Sequence, residues 1–294
     1  MAVISVDKLC KSIAGKKILR EISFEVESGQ CLALIGPNGA GKTTLMSCLL
    51  GDRRVSSGQL ELLGLPVTNP KLKWQVGYLP QENRMTDHLK VSELIDFYRS
   101  IYDQALSLEE IDSLLGFSPE QKEQLARKLS GGQRRLLAFV LCLIGRPKLL
   151  FLDEPTAGMD TSTRLRFWEN VENLKKQGQT ILYSSHYIEE VEQMADRILV
   201  LHQGEVLRDT TPHALKHQDL EKHFTLPMAY QGLVEKLTYV SDVEIKSDHI
   251  ECVTKEPDKL WQELSTAGCR LSDLEMTNRS LLNSIFENQK EADQ

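Results

Sequence analysis

The sequence predicts an α/β fold: a largely parallel sheet at the centre, an antiparallel β flank, an inserted helical subdomain and a small α+β domain at the C-terminal end. Three observations carry this. The apolar run Cys31-Leu32-Ala33-Leu34-Ile35 leads directly into a glycine-rich loop and a helical pattern, a strand-loop-helix unit. A second apolar run over 148–152 ends in two adjacent carboxylates, Asp153 and Glu154, with another helix beyond them. From there apolar strands and helices alternate, which sets strands side by side in parallel with helices on their faces.

Taken in chain order, 3–6 and 19–26 read as strands of the antiparallel flank, joined by a turn around Gly15. The parallel core follows as strand 31–35, a helix from about 41 to 50, strand 148–152, a helix over 162–176, strand 179–184 and a helix over 188–195. A hairpin over 197–201 and 205–208, turning at Gln203-Gly204, closes it. Between Gln81 and Gln133 the strands stop. There 91–102, 107–115 and 119–125 read as helices, a separate subdomain over about 82–133. A first domain is expected over 1–216 and a second over 217–294. The second reads as strand 223–226, helix 229–237, strands 243–246 and 250–254 around Ser247-Asp248-His249, helix 257–267 and strand 270–275. That β-α-β-β-α-β order is the ferredoxin-like pattern.

Of the 294 residues 41% are hydrophobic, enough apolar surface for cores in two domains. Acidic residues outnumber basic ones, 42 to 35, and no dense Lys/Arg run is interleaved with aromatics, so no nucleic acid is expected as a partner. The basic pairs Arg53-Arg54 and Arg134-Arg135 read as solvated or paired. The longest strongly apolar stretch, 136–144, falls well short of the ~20 residues that cross a bilayer, so the chain is expected to be soluble by itself. Its first residues alternate like a strand and lack the basic and apolar regions of a signal peptide. The six cysteines show no C-x-x-C spacing and fit reduced thiols in the cytosol. His213 and His217, four apart with His223 nearby, read as a solvated helix rather than a metal site.

Gly36-Pro37-Asn38-Gly39-Ala40-Gly41-Lys42-Thr43 is a complete G-x-x-x-x-G-K-[ST] motif in the strand-loop-helix context it requires. Glycines let successive backbone N–H groups curl around a polyphosphate, and the helix beginning near Gly41 adds its positive dipole end. Lys42 is placed to reach the β- and γ-phosphates and the Thr43 hydroxyl to help hold Mg²⁺, with Thr44 counted in the same nucleotide site. Successive strand side chains point to opposite sides, so Asp153 can face a phosphate-bound Mg²⁺ while Glu154 sits where water would attack. Leu129-Ser130-Gly131-Gly132-Gln133 offers a second helix N-terminus to an anion. Ser130 is a good N-cap, and Leu136, Leu137, Val140, Leu141 and Ile144 give the following helix its apolar face.

Gln81 in Tyr78-Leu79-Pro80-Gln81-Glu82, the turn Ala157-Gly158-Met159-Asp160 and His186 in Ser184-Ser185-His186 follow in a set order with these motifs. Through them the chain resembles, over about residues 2–215, the nucleotide-binding subunits of ATP-binding cassette (ABC) transporters. Residues 85–102 and, loosely, the closing segment 274–286 are similar to the drug, lantibiotic and polysaccharide exporter ATPases of the ABC-2 type; 274–286 also reads as a plain amphipathic helix. The resemblance implies a P-loop NTPase core, ATP and Mg²⁺ as ligands, and a head-to-tail homodimer. In it Ser130, Gly131, Gly132 and Gln133 of one copy cover the γ-phosphate held by the other. It implies metal contacts through Thr43, Asp153 and Gln81, Glu154 as the base, His186 holding γ-phosphate and water in line, and Asp160 within the nucleotide site. It further implies a separately encoded membrane permease received on the helical subdomain, export of a drug, antimicrobial peptide, lipid or polysaccharide, and a place on the inner face of the cell membrane. Where the family sets an aromatic ring on adenine this sequence has Ile13, so relaxed base selectivity is expected. Two readings stay open beside transport: an ATP-driven sensing or resistance module with a permease, and a soluble switch. The single P-loop and the lack of sustained heptads weigh against the switch.

Overall fold

The computed structural model describes residues 2–82, 86, 88–218 and 221–278. Contacts divide the chain into two compact units, Met1–Thr211 and Pro212–Gln294, a few residues before the expected 216/217. The first opens with an antiparallel hairpin, β1 (Ala2–Ile13) and β2 (Lys16–Glu27), then the strand β3 (Cys31–Ile35) and the helix α1 (Lys42–Leu49). Two strands the sequence reading lacked, β4 (Ser57–Leu62) and β5 (Leu65–Pro66), complete a four-stranded flank in the order β2-β1-β4-β5. A third addition, β6 (Val76–Leu79), enters the main sheet.

The chain then leaves the sheet for α2 (Val91–Ile101), α3 (Leu108–Leu115), α4 (Pro119–Glu123) and α5 (Gly131–Leu143). Ser107, Ser118 and Ser130 start the last three, each accepting a hydrogen bond from the backbone N–H three residues on. These caps satisfy donors the helix itself leaves open. The core resumes with β7 (Leu149–Asp153), α6 (Thr161–Lys176), β8 (Thr180–Ser184) and α7 (Ile188–Met194), and ends in the hairpin β9 (Arg197–His202) and β10 (Glu205–Thr210).

The main sheet runs β10-β9-β3-β8-β7-β6, parallel from β9 to β6. Every residue of β3, β7 and β8 is buried, as expected of parallel strands covered on both faces. On one side an aromatic chain runs from α5 through α6 to β8: Phe139 and Phe167 have centroids 4.6 Å apart, Phe167 and Trp168 5.0 Å, Trp168 and Tyr183 5.5 Å. Parallel pairing puts the carboxyl ends of β3, β6, β7 and β8 at one edge, where an open α/β sheet places its ligand.

The second unit comprises α8 (Pro212–Gln218), β11 (Lys222–Pro227), α9 (Gln231–Val234), β12 (Val240–Ile245), β13 (His249–Thr254), α10 (Pro257–Thr266) and β14 (Glu275–Asn278). Its antiparallel sheet has the order β12-β13-β11-β14, the ferredoxin-like arrangement. Phe224, Leu226, Val234, Ile250, Cys252, Leu260 and Leu264 form its core. Two expectations need correction. The helix over 229–237 shrinks to the four-residue α9 after a 3-10 turn, and the last strand begins at Glu275, after a 3-10 turn over Leu271–Asp273. From residue 279 on, the segment 274–286 lies outside the described residues, as does Met85 of 85–102.

Candidate active site

The loop from Gly36 to Gly41 joins β3 to α1 at this edge. Gly36 sits at φ 157°, and a Cβ there would lie 2.2 Å from the Leu201 carbonyl oxygen, so backbone packing against β9 demands glycine. Pro37, Asn38 and Gly39 are exposed and Ala40 is buried. Gly41 leads into α1 with no side-chain cap, and no acidic residue occupies the first turn, leaving its N–H groups for an anion. Thr43 is exposed and Thr44 half-buried in that turn. Lys42 is 8% exposed, and its ammonium donates to Gly36 O at 2.6 Å and Pro37 O at 3.1 Å. Burial lowers its pKa, while the nearby Glu154 and Asp153 oppose that fall. A buried ammonium held by loop carbonyls beside an uncapped helix start suits a polyphosphate.

Asp153 ends β7 opposite Ser184 of β8. The Ser184 hydroxyl donates to Asp153 Oδ1 at 2.6 Å and accepts from the Glu154 N–H at 2.9 Å, fixing both acidic residues to one neighbour. Burial pushes the Asp153 carboxyl up, the Ser184 hydrogen bond opposing it. Glu154 lies at φ 45°, an uncommon conformation for a residue with a side chain. Gln81 Nε2 donates to Glu154 Oε2 at 3.2 Å, and His186 Nδ1 stands 3.7 Å from the same oxygen. The hydroxyl of Thr43, the amide of Gln81 and the carboxylate of Asp153 are oxygen donors of the kind Mg²⁺ prefers. Among the described residues no group of three or more His, Cys, Asp and Glu side chains could hold a metal by itself.

Ser130 and Gln133 form a reciprocal capping box at the start of α5, at 3.2 Å and 3.0 Å, with Ser130 and Gly131 exposed. Gly132 is buried; a Cβ there would come within 3.2 Å of Asp160 Oδ2. Asp160 itself caps α6, accepting from the Thr163 N–H, the Thr163 hydroxyl and the Ser162 hydroxyl, which hold its carboxyl far below the ordinary carboxylate range. Ile13 lies at the tip of the β1–β2 hairpin, paired with Lys16 and 36% exposed.

Sequence reasoning missed three residues here. Arg135, read as solvated or paired, is 2% exposed and donates to the main-chain carbonyls of Asp153 and Pro155. Ser184 stands out in the sequence only as a neighbour of His186. Glu190, 7% exposed, accepts from the Thr156 hydroxyl at 3.0 Å and the Ser185 hydroxyl at 3.3 Å, tying the turns after Glu154 and before His186 together. A charged residue inside an apolar helix pattern was the available signal for Arg135.

Phosphate-binding loop, buried lysine and paired carboxylates at one sheet edge place the chain among the P-loop nucleoside triphosphatases. The second capped loop, on the inserted helices, narrows the class, and comparison with known proteins agrees. Residues 19–157 match the family model described as ABC transporter. The chain is 35% identical over 275 residues to the Nod factor export ATP-binding protein I of Rhizobium sp. (strain N33), covering 89% of each chain. It is 33% identical over 279 residues to the protein of that name from Rhizobium meliloti (strain 1021), covering 91% of this chain and 83% of the relative. In fold it is similar to a solved ATP-binding subunit of an ABC transporter, with TM-score 0.65 and 24% identity over 74% of this chain and 92% of that one. It is also similar to a dimeric post-hydrolysis ATP-binding cassette bound to ADP and Pi, with TM-score 0.64 and 20% identity over 71% of this chain and 98% of that one. The chain belongs to the ABC transporter family and is an ATP-binding, ATP-hydrolysing subunit of it.

Proposed function

We propose that the chain energises a separately encoded membrane permease that exports its cargo, working as two copies that clasp two ATP molecules head to tail. The relatives at 35% and 33% identity are named as export ATP-binding proteins, which supports the direction. Among the described residues no helix is long and apolar enough to cross a membrane. Trp74, Phe97 and Ile101 are large apolar side chains left exposed beside β6 and on α2, and they support docking of the permease on the helical subdomain. That docking would hold the chain at the inner face of the membrane.

One observation carries the chemistry: Gln81 and His186 converge on the same oxygen of Glu154, next to Asp153 and the loop that holds Lys42. Glu154 takes the proton of the attacking water, Gln81 orients the Glu154 carboxylate, and His186 keeps water and γ-phosphate in line. Lys42 stabilises the charge that develops on the β- and γ-phosphates. Mg²⁺ would be held by Thr43, Gln81 and Asp153 and, when bound, would act as a Lewis acid on the phosphate oxygens. Ser130 to Gln133 of the second copy close the site, and separation of the products' charges opens it.

Reconstituted in vesicles with its permease, Glu154→Gln should keep ATP binding and lose turnover and transport by a factor of about 10²–10⁴. Unaltered transport would refute the assignment. Co-purification with ribosomes instead of a polytopic membrane protein would favour the soluble switch.

A further inference from the structure

Arg135 bonds the backbone beneath the paired acidic residues and is among the most buried charged side chains of the first unit. It lies in the first turns of α5, just after the Ser130 to Gln133 loop, and is 2% exposed. Its Nε donates to Pro155 O at 3.0 Å, its Nη2 to Asp153 O at 2.7 Å and Glu154 O at 3.2 Å, and its Nη1 to Pro80 O. One planar group thereby gathers the carbonyls of three consecutive residues around the catalytic carboxylate and of the residue preceding Gln81. The turn it holds includes Glu154 at φ 45°, a backbone state that persists only where its surroundings enforce it.

We propose that Arg135 is a positioning residue that locks Glu154 and Gln81 to α5 of their own chain, so that the catalytic pair moves with the helix whose N-terminus engages the nucleotide of the other copy. The geometry requires a guanidinium. Five donors in a rigid fork can serve four carbonyls from two loops, whereas an ammonium keeps the charge but concentrates its donors at one point. Arg135 makes none of these bonds to the Gly36 to Lys42 loop, so its loss acts on the chemical step and spares nucleotide binding. The link between copies rests on the head-to-tail dimer proposed above; the bonds within one chain do not.

Mixed complexes test this, with two differently tagged copies purified together with the permease, one copy carrying Glu154→Gln so that a single working Glu154 remains. Placed on the copy that keeps Glu154, Arg135→Lys should lower kcat about tenfold with KM within about threefold of the reference complex. Placed on the Glu154→Gln copy, it should leave turnover within about twofold of that reference. Equal losses in both placements, a loss only in the second, or no loss in either would overturn the assignment. Ser130→Arg serves as the independent check on the dimer, since it should stop turnover when placed on the Glu154→Gln copy, whose loop covers the working site. A loss of turnover instead when Ser130→Arg shares a chain with the working Glu154 would sink the head-to-tail reading alone. Should Arg135→Lys fail to fold, Arg135→Gln, which keeps an amide donor, is read in the same way.

Discussion

At Asp153 burial and charge pull against each other. The carboxylate is 2% exposed, and burial raises its pKa although Ser184 donates to it. A folded-state pKa above the unfolded one means the folded chain holds the proton more tightly. The cost of the ionised form is therefore full above the raised value and disappears as pH falls through the ordinary carboxylate range near about 4. Asp153→Asn keeps an acceptor for Ser184 and removes that cost, so the variant should be more stable than the parent by about 1 kcal/mol at pH 8, while ATP turnover collapses. The attraction to Lys42 is lost as well, a smaller influence than burial on either group. Calorimetry at pH 8 and at about pH 4 checks this: the gap in melting temperature should narrow as the ordinary carboxylate range is reached, and a variant that melts below the parent at pH 8 would contradict it.

Between elements, the aromatic chain across α5, α6 and β8 packs those helices on the main sheet. Phe167 is fully buried between Phe139 and Trp168. Phe167→Ala should destabilise the first unit by about 3–5 kcal/mol, read as a lower midpoint in urea, and a loss under about 1 kcal/mol would mean the layer is not packed this way. Strands such as 31–35 and 148–152 were legible because both faces are buried and the apolar run is continuous. β6 was not, because four residues carry little pattern and its pairing partner, β7, lies far along the chain. The 229–237 helix was overestimated: its apolar spacing reflects Leu233, Val234 and Leu237 packed on the core of the second unit, while Gly232 lowers helix propensity in the middle. Ser130, Lys42, Glu154 and His186 announced themselves by motif and order. Arg135 and Glu190 did not, since their partners are carbonyls and hydroxyls of loops tens of residues away.

At the scale of the whole molecule the sequence holds one phosphate loop, and the Ser130 to Gln133 loop starts α5 with Ser130 and Gly131 exposed. Within its own chain that loop makes its reciprocal cap, with Gly132 buried beside Asp160. A second copy would supply the complement, and hydrolysis would then release a clasp rather than only cleave a bond. The decisive measurement is the mass, by light scattering or sedimentation, of the Glu154→Gln protein saturated with ATP and Mg²⁺, alone and beside its permease. The account predicts two chains per particle with ATP and their separation with ADP. Saturated protein that keeps a single chain per particle in both settings would contradict it.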